Sequence, residues 1–230
     1  MSAWDAFAVD YEKWAETMTE DVPFYVSLAQ GTDGPVVELA VGNGRVAIPV
    51  AQAIGRPVLG IDISPAMLAQ ARENAAAAGV ELELREGDMR ELELDESAAL
   101  IYCPFRGLMH LPSWADRRQT FERIAAALRP GGRFAWNAFV FNHRIAAELD
   151  GKWHEDAPVP HRIDYVPAEA RIDLTLDSGD GIPLYWSTKA EWQGLVEVAG
   201  LEVEALYGWF DRRPFDEESK EMVWVVRRPA

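Results

Sequence analysis

This sequence has almost no thiol chemistry to offer. Cys103 is the only cysteine in 230 residues, which excludes an internal disulfide framework and a cysteine-rich metal centre. Histidine is also scarce. Of the four, His143, His154 and His161 fall in one stretch at spacings of 11 and 7, without a local His-x-His or His-x₃-His pattern, so no metal site is expected. Long apolar runs are missing: no stretch reaches the roughly 18 residues of a membrane span. The first residues, MSAWDAFAVD, lack a basic segment followed by an apolar one, so a secretory signal is not expected and a cytoplasmic location is the default expectation. Positive charge is in deficit, with 22 Lys and Arg against 38 Asp and Glu and a net charge of −16. Such a chain repels nucleic-acid phosphates and anionic membranes unless its bases are concentrated. The densest basic group, Arg117, Arg118 and Arg123, is too small for that. The acidity reads chiefly as solubility; steering of a cationic substrate is the sharper alternative.

What is present is an ordinary globular composition, 49% hydrophobic and 26% charged. The length fits one domain with an insert or two domains, and the segment order favours one domain over residues 1–230. Trp4, Phe7, Ala8 and Tyr11 follow a helical stripe, and a second helix is expected from Asp21, so residues 1–30 read as a helical cap. Strand-like and helix-like segments then alternate, as in an α/β fold with a mostly parallel sheet. Strands are expected at 35–39, 58–62, 81–85, 98–103 and 133–140. Helices are expected at 44–54, from Ser64 to Gly79, and from Ser113 to Pro130-Gly131-Gly132. Ser64 and Ser113 are N-cap residues, and Gly79 is a helix stop. From 141 to 187 the pattern changes to alternating apolar and polar residues at 161–166, 171–177 and 182–187, the signature of half-exposed antiparallel strands. This insert reads as a small β lid. Thr188 and Glu191 then form a capping box. Strands at 202–208 and 221–227, with no helix between them, imply an antiparallel last strand.

Gly42-Asn43-Gly44-Arg45-Val46-Ala47 fits G-x-G-x-x-A between a strand and a helix. Glycines there let a ligand approach the backbone at a helix N-terminus. Asp62 ends the second strand, 18 residues after Gly44, where a carboxylate can accept from ribose hydroxyls. This geometry serves both dinucleotides and S-adenosylmethionine. Glu38, just before the glycines, suits a cationic ligand rather than a pyrophosphate. Asp88 suits an adenine amino group, and Met89 suits the ring.

With these residues in order, the sequence resembles the class I S-adenosylmethionine-dependent methyltransferases, in their small-molecule branch. Glu38 to Gly44 resembles the first motif, Gly60 to Ser64 the second, and Gly87-Asp88-Met89 the third; the likeness covers about 35–140 and 188–227. One departure is Ala40, which stands where the family has its first glycine. The resemblance implies a three-layer α/β sandwich around a seven-stranded sheet. It implies that Glu38, Gly42 and Gly44 line the methionine side of the cofactor, Asp62 its ribose, and Asp88 and Met89 its adenine. S-adenosylhomocysteine would be the product and a small molecule the acceptor.

Methyl transfer is an in-line displacement, so the protein chiefly aligns the partners and, for a protonated acceptor, supplies a base. The loop after the fourth strand, 103–111, falls where α/β sheets bind ligands. His110 is the candidate base, or else a structural histidine. Arg106 could hold an acceptor carboxylate or form a surface ion pair. Cys103 is grouped with the cofactor-side positions as a packed thiol. Tyr11 could hydrogen-bond the cofactor carboxylate or pack in its own stripe. Asn137 and Trp186 are candidate acceptor contacts, Trp186 in an aromatic lid with Trp153, Tyr165 and Tyr185. Two other readings compete: a nicotinamide-dependent oxidoreductase, supported by G-x-G-x-x-A and Asp62, and a non-catalytic cofactor-binding regulatory module. The chain is expected to be a monomer or a homodimer.

Overall fold

The computed structural model describes residues 18–230 apart from Pro158 and Asp180. The expected helix through Tyr11 lies outside the described residues. Helix α1, Val22–Gln30, opens with Pro23 in its first turn. Strand β1, Val36–Leu39, is buried along its length. Helix α2, Ala47–Ile54, starts three residues later than the sequence suggests, because Gly42 and Gly44 both take positive φ and hold 42–46 as a turn. Strand β2, Val58–Asp62, leads to α3, Pro65–Ala78. The Ser64 hydroxyl accepts from the Met67 amide, and Gly79 closes the helix in the left-handed conformation. Strands β3, Leu82–Glu86, and β4, Ala98–Cys103, follow, then α4, Trp114–Ala127, capped by Ser113.

Strand β5 runs Leu128–Phe139, starting earlier than expected. Pro130-Gly131-Gly132 does not end pairing; it shifts the register against β4, and the Gly131 amide is satisfied by the Arg228 carbonyl at 2.9 Å. Helix α6, Lys189–Val198, carries the expected capping box. Strands β10, Glu202–Tyr207, and β11, Glu221–Arg227, complete a sheet of order β10-β11-β5-β4-β1-β2-β3. All its pairs are parallel except those of β11, which is antiparallel to both neighbours.

Period-two alternation divides the core between two faces. Val37, Ile101, Phe134, Trp136 and Trp224 meet Phe121 of α4 and Trp192 of α6. Val36, Leu100, Tyr102, Ala135 and Val223 meet Phe24 of α1, Val50 of α2 and Leu68 of α3. The result is three layers with the carboxyl ends of β1, β2 and β4 at one rim.

The lid is a separate four-stranded antiparallel sheet of order β6-β7-β8-β9, comprising Lys152–His154, His161–Val166, Arg171–Leu176 and Gly181–Tyr185. The first of these strands, and the preceding helix α5, His143–Leu149, are additions to the sequence reading. Asn142 caps α5 by accepting from the Arg144 and Ile145 amides. The lid has its own apolar cluster, in which Val159, Leu174, Leu176 and Ile182 pack on Met67, at the start of α3.

Candidate functional site

A cleft of about 330 Å³ opens at the carboxyl rim of the sheet. Its floor is Ala40 and Gly42 after β1, Ile61 and Asp62 of β2, and Asp88 and Met89 after β3. Pro104, Phe105 and His110 of the loop after β4 complete the wall.

The turn after β1 is shaped by backbone conformation. Ala40, Gly42 and Gly44 all have positive φ, 54°, 54° and 84°. Ala40 thus bears the left-handed strain that glycine would avoid, about 1–2 kcal/mol. Gly44 turns toward Ile48 and Ala71 and is not part of the cleft wall. Asp62 holds the turn from the next strand: its Oδ2 accepts from the Gly42 amide and its Oδ1 from the Ser64 amide, each at 2.9 Å. A carboxylate can accept about four hydrogen bonds, and these two backbone donors orient Asp62.

Glu38 is 1% exposed and sits behind this floor rather than in the wall. Its Oε2 has no hydrogen-bond partner among the described residues. Burial holds its pKa well above the ordinary carboxylate range; the neighbouring Tyr102 hydroxyl and Arg45 guanidinium pull the other way. Arg45 also makes a two-pronged ion pair with the buried Asp21, at 2.6 Å on each arm, and lies 5.1 Å from the centre of the Phe105 ring. It therefore joins α1, the glycine turn and the loop after β4.

Asp88 and Met89 do line the cleft, but Asp88 is already engaged. Its oxygens accept from Arg90 Nε at 2.9 and 3.0 Å, and Arg90 also reaches Asp116 of α4 at 3.0 Å. These hydrogen bonds hold the Asp88 carboxyl below its ordinary pKa. Asp88 also caps the 89–91 turn by accepting from the Arg90 amide.

The loop after β4 carries two consecutive non-glycine residues at positive φ, Phe105 at 53° and Arg106 at 64°. Such strain persists only where the surroundings enforce it. Here Asn137 Oδ1 accepts from the Arg106 amide at 3.3 Å, and the Arg106 side chain pairs with Glu221, which is 2% exposed. Asn137 Nδ2 donates to the other Glu221 oxygen at 3.0 Å. Arg106 and Asn137 thus belong to one internal network that fixes the loop. Cys103 lies below it, fully buried, so burial raises its thiol pKa. A Cβ on Gly107 would come within 2.6 Å of the Cys103 sulfur, which leaves only glycine at this crossing.

His110 ends the 107–110 turn and lies 3.0 Å from the Pro183 carbonyl through Nδ1. A carbonyl only accepts, so Nδ1 carries the proton and Nε2 the lone pair. Burial pushes the imidazole pKa down to about 4. Trp186 stacks on Phe141 at 4.1 Å between ring centres, with Tyr165 6.1 Å from Phe141; this aromatic group is not part of the cleft wall. Tyr11 lies outside the described residues. Neither a metal-ligating group nor a helix long and apolar enough to cross a membrane occurs among the described residues.

Sequence reasoning missed Asp21, Arg45 and Arg90 as builders of the site. Arg45 and Asp21 pair across 24 positions, and Arg90 joins the nearby Asp88 to Asp116, 26 positions away. The only local signal was an arginine following the glycine turn.

Residues 36–132 match a family described as a methyltransferase domain. The chain is 28% identical over 204 residues to 27-O-demethylrifamycin SV methyltransferase of Amycolatopsis mediterranei, covering 88% of this chain and 65% of that protein. It spans about half the length of the curated relatives it matches, from 44% to 65%. The solved CcbJ methyltransferase of Streptomyces caelestis superposes with a TM-score of 0.75 at 26% identity, over 92% of this chain and 89% of that one. An S-adenosylmethionine-dependent methyltransferase of Clostridium acetobutylicum superposes over the whole of both chains at a TM-score of 0.80 and 13% identity, a likeness of fold alone. The family match over residues 36–132, the sheet order and the cleft agree: the chain has the class I, Rossmann-like methyltransferase fold, with a methyltransferase domain over that stretch.

Proposed function

We propose that this chain transfers the methyl group of S-adenosylmethionine to an oxygen, nitrogen or other nucleophilic atom of a small organic molecule. The observation that carries the reading is the pinned Asp62 carboxylate, which lines one cleft together with Met89 and His110. The likeness to a 27-O-demethylrifamycin SV methyltransferase supports a small-molecule acceptor.

The residues fit the cofactor. An acceptor-only carboxylate at the end of β2 suits a ribose diol. Met89 offers a soft apolar surface for an adenine ring. Asp88, occupied by Arg90, would act by shaping the 88–91 turn as well as by direct contact. Burial favours the neutral form of Glu38, and an ammonium or sulfonium beside it would favour the ionised form, so cofactor binding and ionisation of Glu38 would support each other. When bound, the cofactor supplies a methyl already activated by its sulfonium, so the chain needs no nucleophile of its own. The chain's task is alignment and exclusion of water. His110, neutral at pH 7, presents Nε2 as an acceptor for the N–H or O–H of the incoming molecule. An imidazole with a pKa near 4 retains a proton weakly. Its role is to orient the acceptor lone pair by accepting that hydrogen bond, the proton leaving to solvent after transfer.

The test is transfer of a labelled methyl group from S-adenosylmethionine to panels of small amines, phenols and alcohols. Asp62→Ala is expected to lower cofactor affinity at least about 100-fold, as two backbone donors and the ribose contact are lost together. His110→Ala is expected to lower kcat at least about tenfold with cofactor affinity unchanged. Transfer to none of the panels, or unchanged kcat in His110→Ala, would overturn the corresponding part of the reading.

A further inference from the structure

Arg117 is unusual for a surface helix. It is 7% exposed on α4, and no carboxylate forms an ion pair with it among the described residues. Its Nε donates to the Leu111 carbonyl at 3.1 Å, Nη2 to the Tyr185 carbonyl at 3.1 Å, and Nη1 to the Ser187 hydroxyl. The guanidinium lies 5.8 Å from the centre of the Trp192 ring. Burying a cation among neutral oxygens is a poor way to gain stability; an apolar side chain of similar volume commonly serves as well or better. What the guanidinium fork does uniquely is span several acceptors in fixed directions. Here those acceptors belong to two different structures: Leu111 to the His110 loop, Tyr185 and Ser187 to the end of the lid.

We propose that Arg117 is a positioning residue that fastens the lid to the His110 loop and so sets the acceptor side of the cleft. This rests on the methyl-transfer reading of the same site. The fastening has a second strand, the His110 Nδ1 to Pro183 carbonyl hydrogen bond, two residues before Tyr185. With Tyr185 held by Arg117, the Pro183 carbonyl stays against Nδ1, which fixes the tautomer and the orientation of the ring. On its other side the lid rests on Met67, so it is pinned at both margins of the cleft. Arg117 acts on the acceptor through His110 and the lid, not by contact with the reacting atoms.

The experiment compares wild type, Arg117→Met and Arg117→Lys. Amide exchange is read at 107–111 and 183–187, the His110 ring is titrated by NMR, and S-adenosylhomocysteine affinity is measured by calorimetry. In Arg117→Met, exchange at both segments is expected to rise at least tenfold while the β1–β4 amides are unchanged. His110 is expected to titrate higher, from about 4 toward the ordinary histidine value. Arg117→Lys restores part of both effects, and cofactor affinity stays within threefold throughout. Unchanged exchange and an unchanged His110 titration in folded Arg117→Met would overturn the proposal, as would a uniform rise in exchange across the sheet. If Arg117→Met does not fold, Ser187→Ala, which removes one lid acceptor, is expected to give the same changes at smaller size; no change there overturns the proposal. If the variants show the exchange pattern but wild type binds no S-adenosylhomocysteine, the result counts against the methyl-transfer reading and leaves the clamp standing.

Discussion

The floor of the cleft and its lid are built by different means. The floor, from β1 to the turn after β3, is made of backbone: two positive-φ residues, two amides on one carboxylate, and the ends of strands. The lid is made of side chains and small strands. Its cluster holds few buried residues, and its exposed faces carry ion pairs such as Arg162 with Asp164 and Arg171 with Asp173, each worth little alone. A floor of this kind recognises one ligand with few alternatives. A lid of this kind can change its side chains without disturbing the sheet. The difference explains why the cofactor can be read from this chain and the acceptor cannot.

The largest expected effect separates the two cores. Trp136 is fully buried and stacks on Phe134 and Trp224; Trp136→Ala is expected to cost about 3–5 kcal/mol of global stability. Leu176→Ala, in the lid cluster, is expected to cost about 2 kcal/mol and to raise amide exchange within 161–185 only. Equal and global losses from both would erase the distinction. Next comes Arg106→Met. It leaves Glu221 buried with only Asn137 as partner, and since the guanidinium is about a third exposed the expected cost is about 2 kcal/mol, seen as a lower Tm. An unchanged Tm would free Arg106 for a role in acceptor binding.

Glu38→Gln sharpens the view of the floor. Because burial raises the folded pKa of Glu38, its neutral form favours folding. That stability is complete below the ordinary carboxylate value and declines as pH rises toward the folded pKa. Wild type without cofactor should therefore lose stability with rising pH in that window, and Glu38→Gln should lose less. At neutral pH the variant is expected to be at least as stable as wild type but to bind S-adenosylhomocysteine about tenfold more weakly. The smallest effect is Ala40→Gly. Relief of left-handed strain is offset by the greater chain entropy of glycine, so Tm should move by no more than about 4 °C.

The parts of the fold that were legible in sequence are those set by neighbours in the chain. Ser64, Gly79, Ser113 and the Thr188–Glu191 pair punctuate helices through residues one turn away. The sheet strands are continuous apolar runs, and the antiparallel β11 follows from a missing helix. The lid was legible as a change of rhythm, but the three residues of β6 and the seven of α5 are too short to carry a period. The site divides similarly. Gly42, Asp62, Asp88 and Met89 stand at strand ends, where the topology itself brings them together. The pairings of Arg45 with Asp21, Arg106 with Glu221 and Arg117 with Tyr185 join residues 24, 115 and 68 positions apart, and nothing local announces them. Arg106, read in sequence as an acceptor contact or an ion-pair residue, and Asn137, a candidate acceptor contact, both pair with Glu221.

The central claim is that the cleft floor is an S-adenosylmethionine site. Calorimetric titration of the intact chain with S-adenosylhomocysteine, beside a parallel titration with NADH, tests it most directly. The account predicts saturable one-to-one binding of S-adenosylhomocysteine and none of NADH. Binding of NADH alone, or no heat from S-adenosylhomocysteine at millimolar ligand, would contradict it.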